Sequence, residues 1–148
     1  MGSTDVIAGL TGRRIDWLAY FAVLLLVGRQ ALTYAGWAVI DVAVRLEIWP
    51  PALIRFDVYE YYSQITWLHE LVFVLALVSF LAAFAAVILR SRYALHLLIF
   101  CLLPGISDWV MMTTVPQLLN DMSGYLHLIG HLVAICGLIF LRIRGFLR

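Results

Sequence analysis

Four apolar stretches, each long enough to cross the hydrocarbon core of a bilayer, take up most of this 148-residue chain. They run from Trp17 to Val44, Ile65 to Leu89, Tyr93 to Val115 and Tyr125 to Leu141. Inside lipid the backbone has no water to bond, so such stretches cross as helices. With 64% hydrophobic and only 13% charged residues, the chain lies outside the range of soluble domains. The expected fold is all-α, an integral-membrane antiparallel four-helix bundle, with residues 1–148 forming a single membrane domain whose surroundings are the lipid bilayer. A formal net charge of +1 supplies no basic field for phosphates and predicts no nucleic-acid partner.

The connections order the helices. Arg90-Ser91-Arg92 joins the second stretch to the third, and Pro116 to Gly124 joins the third to the fourth, so these are expected to be antiparallel neighbours. The longest connection, residues 47–64, carries Trp49-Pro50-Pro51 and the cluster Tyr59, Tyr61 and Tyr62. Prolines end the first helix there, and aromatics of this kind favour the headgroup layer, so the segment is expected to lie along the membrane surface.

Arginines set the orientation. Arg13 and Arg14 precede the first helix, Arg90 and Arg92 lie in the second connection, and Arg142, Arg144 and Arg148 close the chain. All fall on one side, which the positive-inside rule makes cytoplasmic, with both termini there. The other side holds Arg45 and Arg55 against Glu47, Asp57, Glu60 and Asp121. The first ten residues lack the pattern of a cleaved signal peptide, so the first helix is expected to stay as an anchor.

Ionisable groups inside the apolar stretches are the candidates for function, because a charge at bilayer depth needs a partner. At 1.5 Å per residue, Arg29, Asp108, His127 and His131 all fall about 16–22 Å from the cytoplasmic edge, while His69 and Glu70 fall near 28–30 Å, at an outer mouth. His96 lies near the inner edge, away from the rest. On helical spacing, Arg29 shares a stripe with Ala22, Thr33 and Gly36, Asp108 with Cys101, Pro104, Gly105 and Met112, and His131 with His127, Ala134 and Leu138. Small residues mark helix contacts, so these groups are expected to point into the bundle. Pro104 removes a backbone hydrogen bond and is expected to kink its helix.

Three chemistries follow from that cluster. The simplest is an Arg29 to Asp108 ion pair that locks the bundle. The second is a divalent metal site: His127 and His131, four apart on one face, with Asp108 or with Glu70 and His69 completing the shell. Haem clamped by His69 and His127 suits the geometry less well, since the two differ by about 8 Å in depth. The third is acid/base catalysis on a lipophilic substrate such as a quinone, isoprenoid or sterol-like molecule. Arg29, Gln30, Thr33, His69, Glu70 and Asp108 would hold that substrate, and His127, His131, Asp108 and Arg29 would be the catalytic candidates. A homo-oligomeric transporter or channel is a further possibility. Cys101 and Cys136 form no Cys-x-x-Cys pair and read as packing residues.

The run from Glu70 through Leu89 to Arg90-Ser91-Arg92, followed by the next apolar helix, resembles the middle of DoxX-like small bacterial membrane proteins. The resemblance implies a four-helix, multi-pass protein of the bacterial inner (plasma) membrane, associated with redox or oxidase chemistry. It favours an accessory subunit of a larger membrane complex, or a homo-oligomer, over a self-sufficient enzyme. The long aromatic segment and the His127/His131 pair depart from that pattern.

Overall fold

Helix α1 (Ser3–Arg45) runs unbroken for 43 residues. No proline interrupts it, so it starts well ahead of Trp17 and carries Arg13 and Arg14 within the helix instead of before it. It stops at a Schellman turn: Ile48 N–H bonds the Ala43 carbonyl, Glu47 N–H bonds that of Val44, and Glu47 takes the left-handed conformation at φ 57°. That turn, not the following prolines, ends the helix. The short α2 (Val58–Ser63) starts where Asp57 Oδ1 accepts from the backbone N–H groups of Tyr59 and Glu60 at 2.9 and 3.1 Å. Then come α3 (Trp67–Ile88), α4 (Ala94–Met112), with Pro104 inside it, and α5 (Ser123–Ile143).

The computed structural model describes residues 3–50, 57–116 and 123–148, with side chains from Arg13 onward. Pro51, expected to help end the first helix, and Arg55 and Asp121, expected on the outer side, lie outside the described residues. Among the described residues there are helices and no strands, and α1, α3, α4 and α5 are each long and apolar enough to cross a membrane, as in a multi-pass membrane protein.

The long helices form a ring in which α1 packs on α3 and α5, and α4 packs on α3 and α5. Each turns a stripe of helical period inward: Val23, Val27 and Gln30 on α1, Ala76, Phe80 and Ala83 on α3, Leu98, Cys101 and Asp108 on α4, and His131, Ala134 and Leu138 on α5. Outward stripes are equally apolar, as at Leu18, Leu25 and Leu32 on α1. Close approach is bought with small residues. A Cβ at Gly137 would overlap Val23, and one at Gly28 would stand 3.0 Å from the Phe84 ring.

One end of the ring is sealed. Val27, Ala83, Val87, Leu98, Leu138 and Leu141 are wholly buried there, and Arg144 Nε reaches Asp16 Oδ1 at 3.0 Å to tie α5 to α1. Arg90 donates to the Phe146 carbonyl at 2.8 Å and lies 4.0 Å from the Phe146 ring centroid. Arg92 N–H bonds the Arg148 carbonyl and Arg148 N–H bonds that of Arg90, so the C-terminal residues cover the α3–α4 turn. The other end is different: there the helices stand apart around a cavity.

Candidate functional site

From the sealed core to the opposite end of the ring runs a cavity of about 460 Å³, within the range of small-molecule sites. Its floor is polar. His131, only 3% exposed, donates from Nε2 to the Leu98 carbonyl on α4 at 2.8 Å, and its Nδ1 lies 3.2 Å from Oε1 of Gln30 on α1. Gln30 Nε2 in turn donates to the His127 carbonyl at 2.9 Å. These contacts link Gln30 of α1, Leu98 of α4 and His127 and His131 of α5 across three helices.

Above the floor, Tyr34 of α1 crosses the ring to donate from its hydroxyl to Asp108 Oδ2 of α4 at 3.1 Å. The Tyr34 ring stacks on Phe80 with centroids 4.9 Å apart and planes 18° off parallel. Asp108 is 8% exposed, and its second oxygen, Oδ1, is buried with no hydrogen-bond partner among the described residues. Two further buried polar atoms on the cavity wall are also unpartnered: His69 Nε2 and Trp109 Nε1. Thr66 N–H and the Thr66 hydroxyl both face His69 Nδ1, at 3.3 and 2.7 Å. A backbone N–H can only donate, so Nδ1 accepts and Nε2 of the neutral ring carries the proton.

The mouth is charged and partly roofed. Arg45 bonds Asp41 at 2.9 Å and Glu70 at 2.8 Å, closing α1 against α3. Helix α2 lies over the opening, with Tyr61 and Tyr62 lining the cavity; Tyr61 is 4% exposed and donates to Met112 Sδ at 2.7 Å. Burial first, and then the negative charges of Asp108 and Asp41, hold the Tyr61 phenol above its ordinary range, and burial does the same for Tyr62. Both are uncharged hydroxyls at neutral pH.

The placement of the expected site residues is mixed. Gln30, Thr33, His69, Glu70, Asp108, His127 and His131 all line the cavity. Thr33 spends its hydroxyl on the Arg29 carbonyl at 3.0 Å, and His127 is half-buried. Arg29 is the correction. It is exposed on the outer stripe between Leu25 and Leu32, it makes no ion pair among the described residues, and the carboxylate expected to pair with it is bonded by Tyr34. One residue along a helix turns the side chain by about 100°, and Gln30, not Arg29, is the one that faces inward. Arg29, expected among the substrate-binding and catalytic candidates, does not line the cavity.

The metal shell is the second correction. Among the described residues no three His, Cys, Asp or Glu side chains gather as a ligand set, so His127, His131, Asp108, Glu70 and His69 do not form one. The reason is that these groups are engaged apart: His131 Nε2 donates its proton to the Leu98 carbonyl and its Nδ1 faces Gln30, His69 Nδ1 accepts from Thr66, and Glu70 pairs with Arg45. His69 and His127, the pair considered for haem, both line the cavity.

Sequence reasoning passed over Tyr34, Trp37, Asp41, Arg45, Phe80 and Trp109, all of which line the cavity. Tyr34 was findable, since it lies four residues beyond Gln30 on the same helical face. Trp109 was not: its place depends on Gly124 of α5, where any Cβ would overlap the indole. No family model matches this chain, and neither a curated protein nor a solved structure matches it.

Proposed function

We propose that this chain is a membrane-embedded binding protein for a lipophilic small molecule held in the cavity between its helices. The observation that carries the reading is Asp108 Oδ1, a buried carboxylate oxygen with no hydrogen-bond partner among the described residues, on the wall of a cavity between a polar floor and a charged mouth. A polar atom left unbonded in such surroundings costs about 1–3 kcal/mol, and more when charged, which a bound ligand offsets. In this reading the helices form an antiparallel bundle with both termini cytoplasmic, so the sealed arginine-rich end faces inward and the Asp41, Arg45 and Glu70 mouth faces outward. A bacterial inner membrane and the accessory role implied by the DoxX-like resemblance are consistent with a binding function and belong to the same proposal.

Arg29 favours one addition. A guanidinium on the lipid-facing stripe is costly unless a neighbouring subunit or a lipid phosphate supplies its counter-charge, so we read the chain as working in a homo-oligomer or larger membrane complex.

The test is chemical. Protein purified into nanodiscs of one synthetic lipid is extracted with organic solvent and analysed by mass spectrometry. A hydrophobic compound other than that lipid, near one per chain and lost when Thr33→Trp narrows the cavity, is the expected result. Equal recovery from both proteins, or none from either, sinks the binding reading.

A further inference from the structure

The charges on the cavity wall do not balance. Asp41, Glu70 and Asp108 are carboxylates, and Arg45 is the one guanidinium among the described lining residues. Arg45 is committed to Asp41 and Glu70 at the mouth. Asp108, more than nine-tenths buried and a helical turn or more deeper, has a neutral phenol on Oδ2 and, among the described residues, nothing on Oδ1. A carboxylate in such a place is expensive alone and calls for a cation, and no described side chain directs one at it. Arg29, the cation at comparable height on α1, faces away.

The walls around that oxygen suit a cation too. Tyr34, Trp37, Tyr61, Phe73 and Trp109 line the same cavity, and aromatic faces attract organic ammonium groups while their rings cover an apolar body. The two unpartnered donors, His69 Nε2–H and Trp109 Nε1–H, leave room for an acceptor oxygen elsewhere on the ligand. A cavity of about 460 Å³ is large enough for a small lipophilic amine.

We propose that the ligand is a lipophilic amine, its ammonium group seated against Asp108 Oδ1 and its apolar body among the aromatic rings. The inference rests on the cavity being a ligand site, and it names the class of that ligand.

Three probes of matched shape separate the class from the site. Phenylbutylamine, phenylbutanol and phenylbutyrate are titrated by calorimetry into the protein in zwitterionic nanodiscs, with empty nanodiscs subtracted. The amine is expected to bind roughly ten- to a hundredfold tighter than the alcohol, the worth of a hydrogen bond to a charged group, with phenylbutyrate weakest. In Asp108→Asn, which keeps shape and an acceptor for Tyr34, the amine's advantage is expected to vanish while the alcohol's affinity holds. The wild-type comparison alone decides if that variant fails to fold. Alcohol or phenylbutyrate binding as tightly as the amine overturns the cation assignment and leaves the site standing. Absence of binding by all three overturns it as well, and the solvent extraction then judges independently whether the cavity holds any ligand.

Discussion

Tyr34 and Asp108 face each other across the middle of the helix ring, one on α1 and one on α4, joined by a 3.1 Å hydrogen bond from phenol to carboxylate. Neither helix packs mainly on the other. The bond spans the space between them.

Tyr34→Phe keeps the stack on Phe80 but leaves both Asp108 oxygens unpartnered, so it is expected to destabilise the protein by about 1–3 kcal/mol. The double variant Tyr34→Phe, Asp108→Leu is expected to recover part of that loss, because it removes the buried polar group as well. Thermal unfolding in detergent reads both. An unchanged melting temperature in Tyr34→Phe would show that the bond contributes nothing.

Gln30 and Arg29 are neighbours with opposite roles. Gln30→Leu removes the group facing His131 Nδ1 and the side-chain bond to the His127 carbonyl, for an expected loss of about 1–3 kcal/mol. Arg29→Leu replaces an unpaired guanidinium on an apolar stripe and is expected to leave the stability of the detergent-solubilised monomer unchanged or raised. The reverse order of damage would mean that α1 is turned by one residue.

Glycines separate by what surrounds them. Gly124→Ala would drive a methyl into the Trp109 indole, so it is expected to cost about 1–3 kcal/mol and to shift the tryptophan emission. Gly36→Ala meets nothing within 4 Å and is expected to be neutral, or stabilising by about 0.4–1 kcal/mol. Matching effects from the two would contradict the α4–α5 packing.

Alkaline pH should lift α2. The Tyr61 and Tyr62 phenols are raised above their ordinary value, so the folded state holds protons that the unfolded chain releases near pH 10. Their contribution is whole below that pH and falls as pH climbs above it. Phenolate absorbance should therefore show the Tyr61 and Tyr62 phenols ionising late, above the ordinary tyrosine range. Substituting Tyr61→Phe and Tyr62→Phe together should shrink that late phase.

Much of this protein is legible from residue order. Four helices long and apolar enough to cross a membrane follow from hydropathy, because lipid leaves a spanning backbone no choice but to bond within itself. The stripes of α4 and α5 were also readable, since Asp108 and His131 share their faces with Cys101, Pro104 and Ala134, and all of these are buried. The face of α1 was not. In a soluble helix the polar side marks water, but here core and lipid are equally apolar, so Val23 and Val27 inside look no different from Leu25 and Leu32 outside. Only the packing of α3 and α5 against α1 decided that Gln30 and Tyr34 turn inward and Arg29 outward. The same holds for the roof. Residue order places tyrosines in the connection after α1, but whether a six-residue helix rests on a cavity or on lipid depends on contacts such as Tyr61 to Met112, made across 51 positions of chain. Local sequence carries no record of which distant surface completes the burial of a ring; the tertiary structure does.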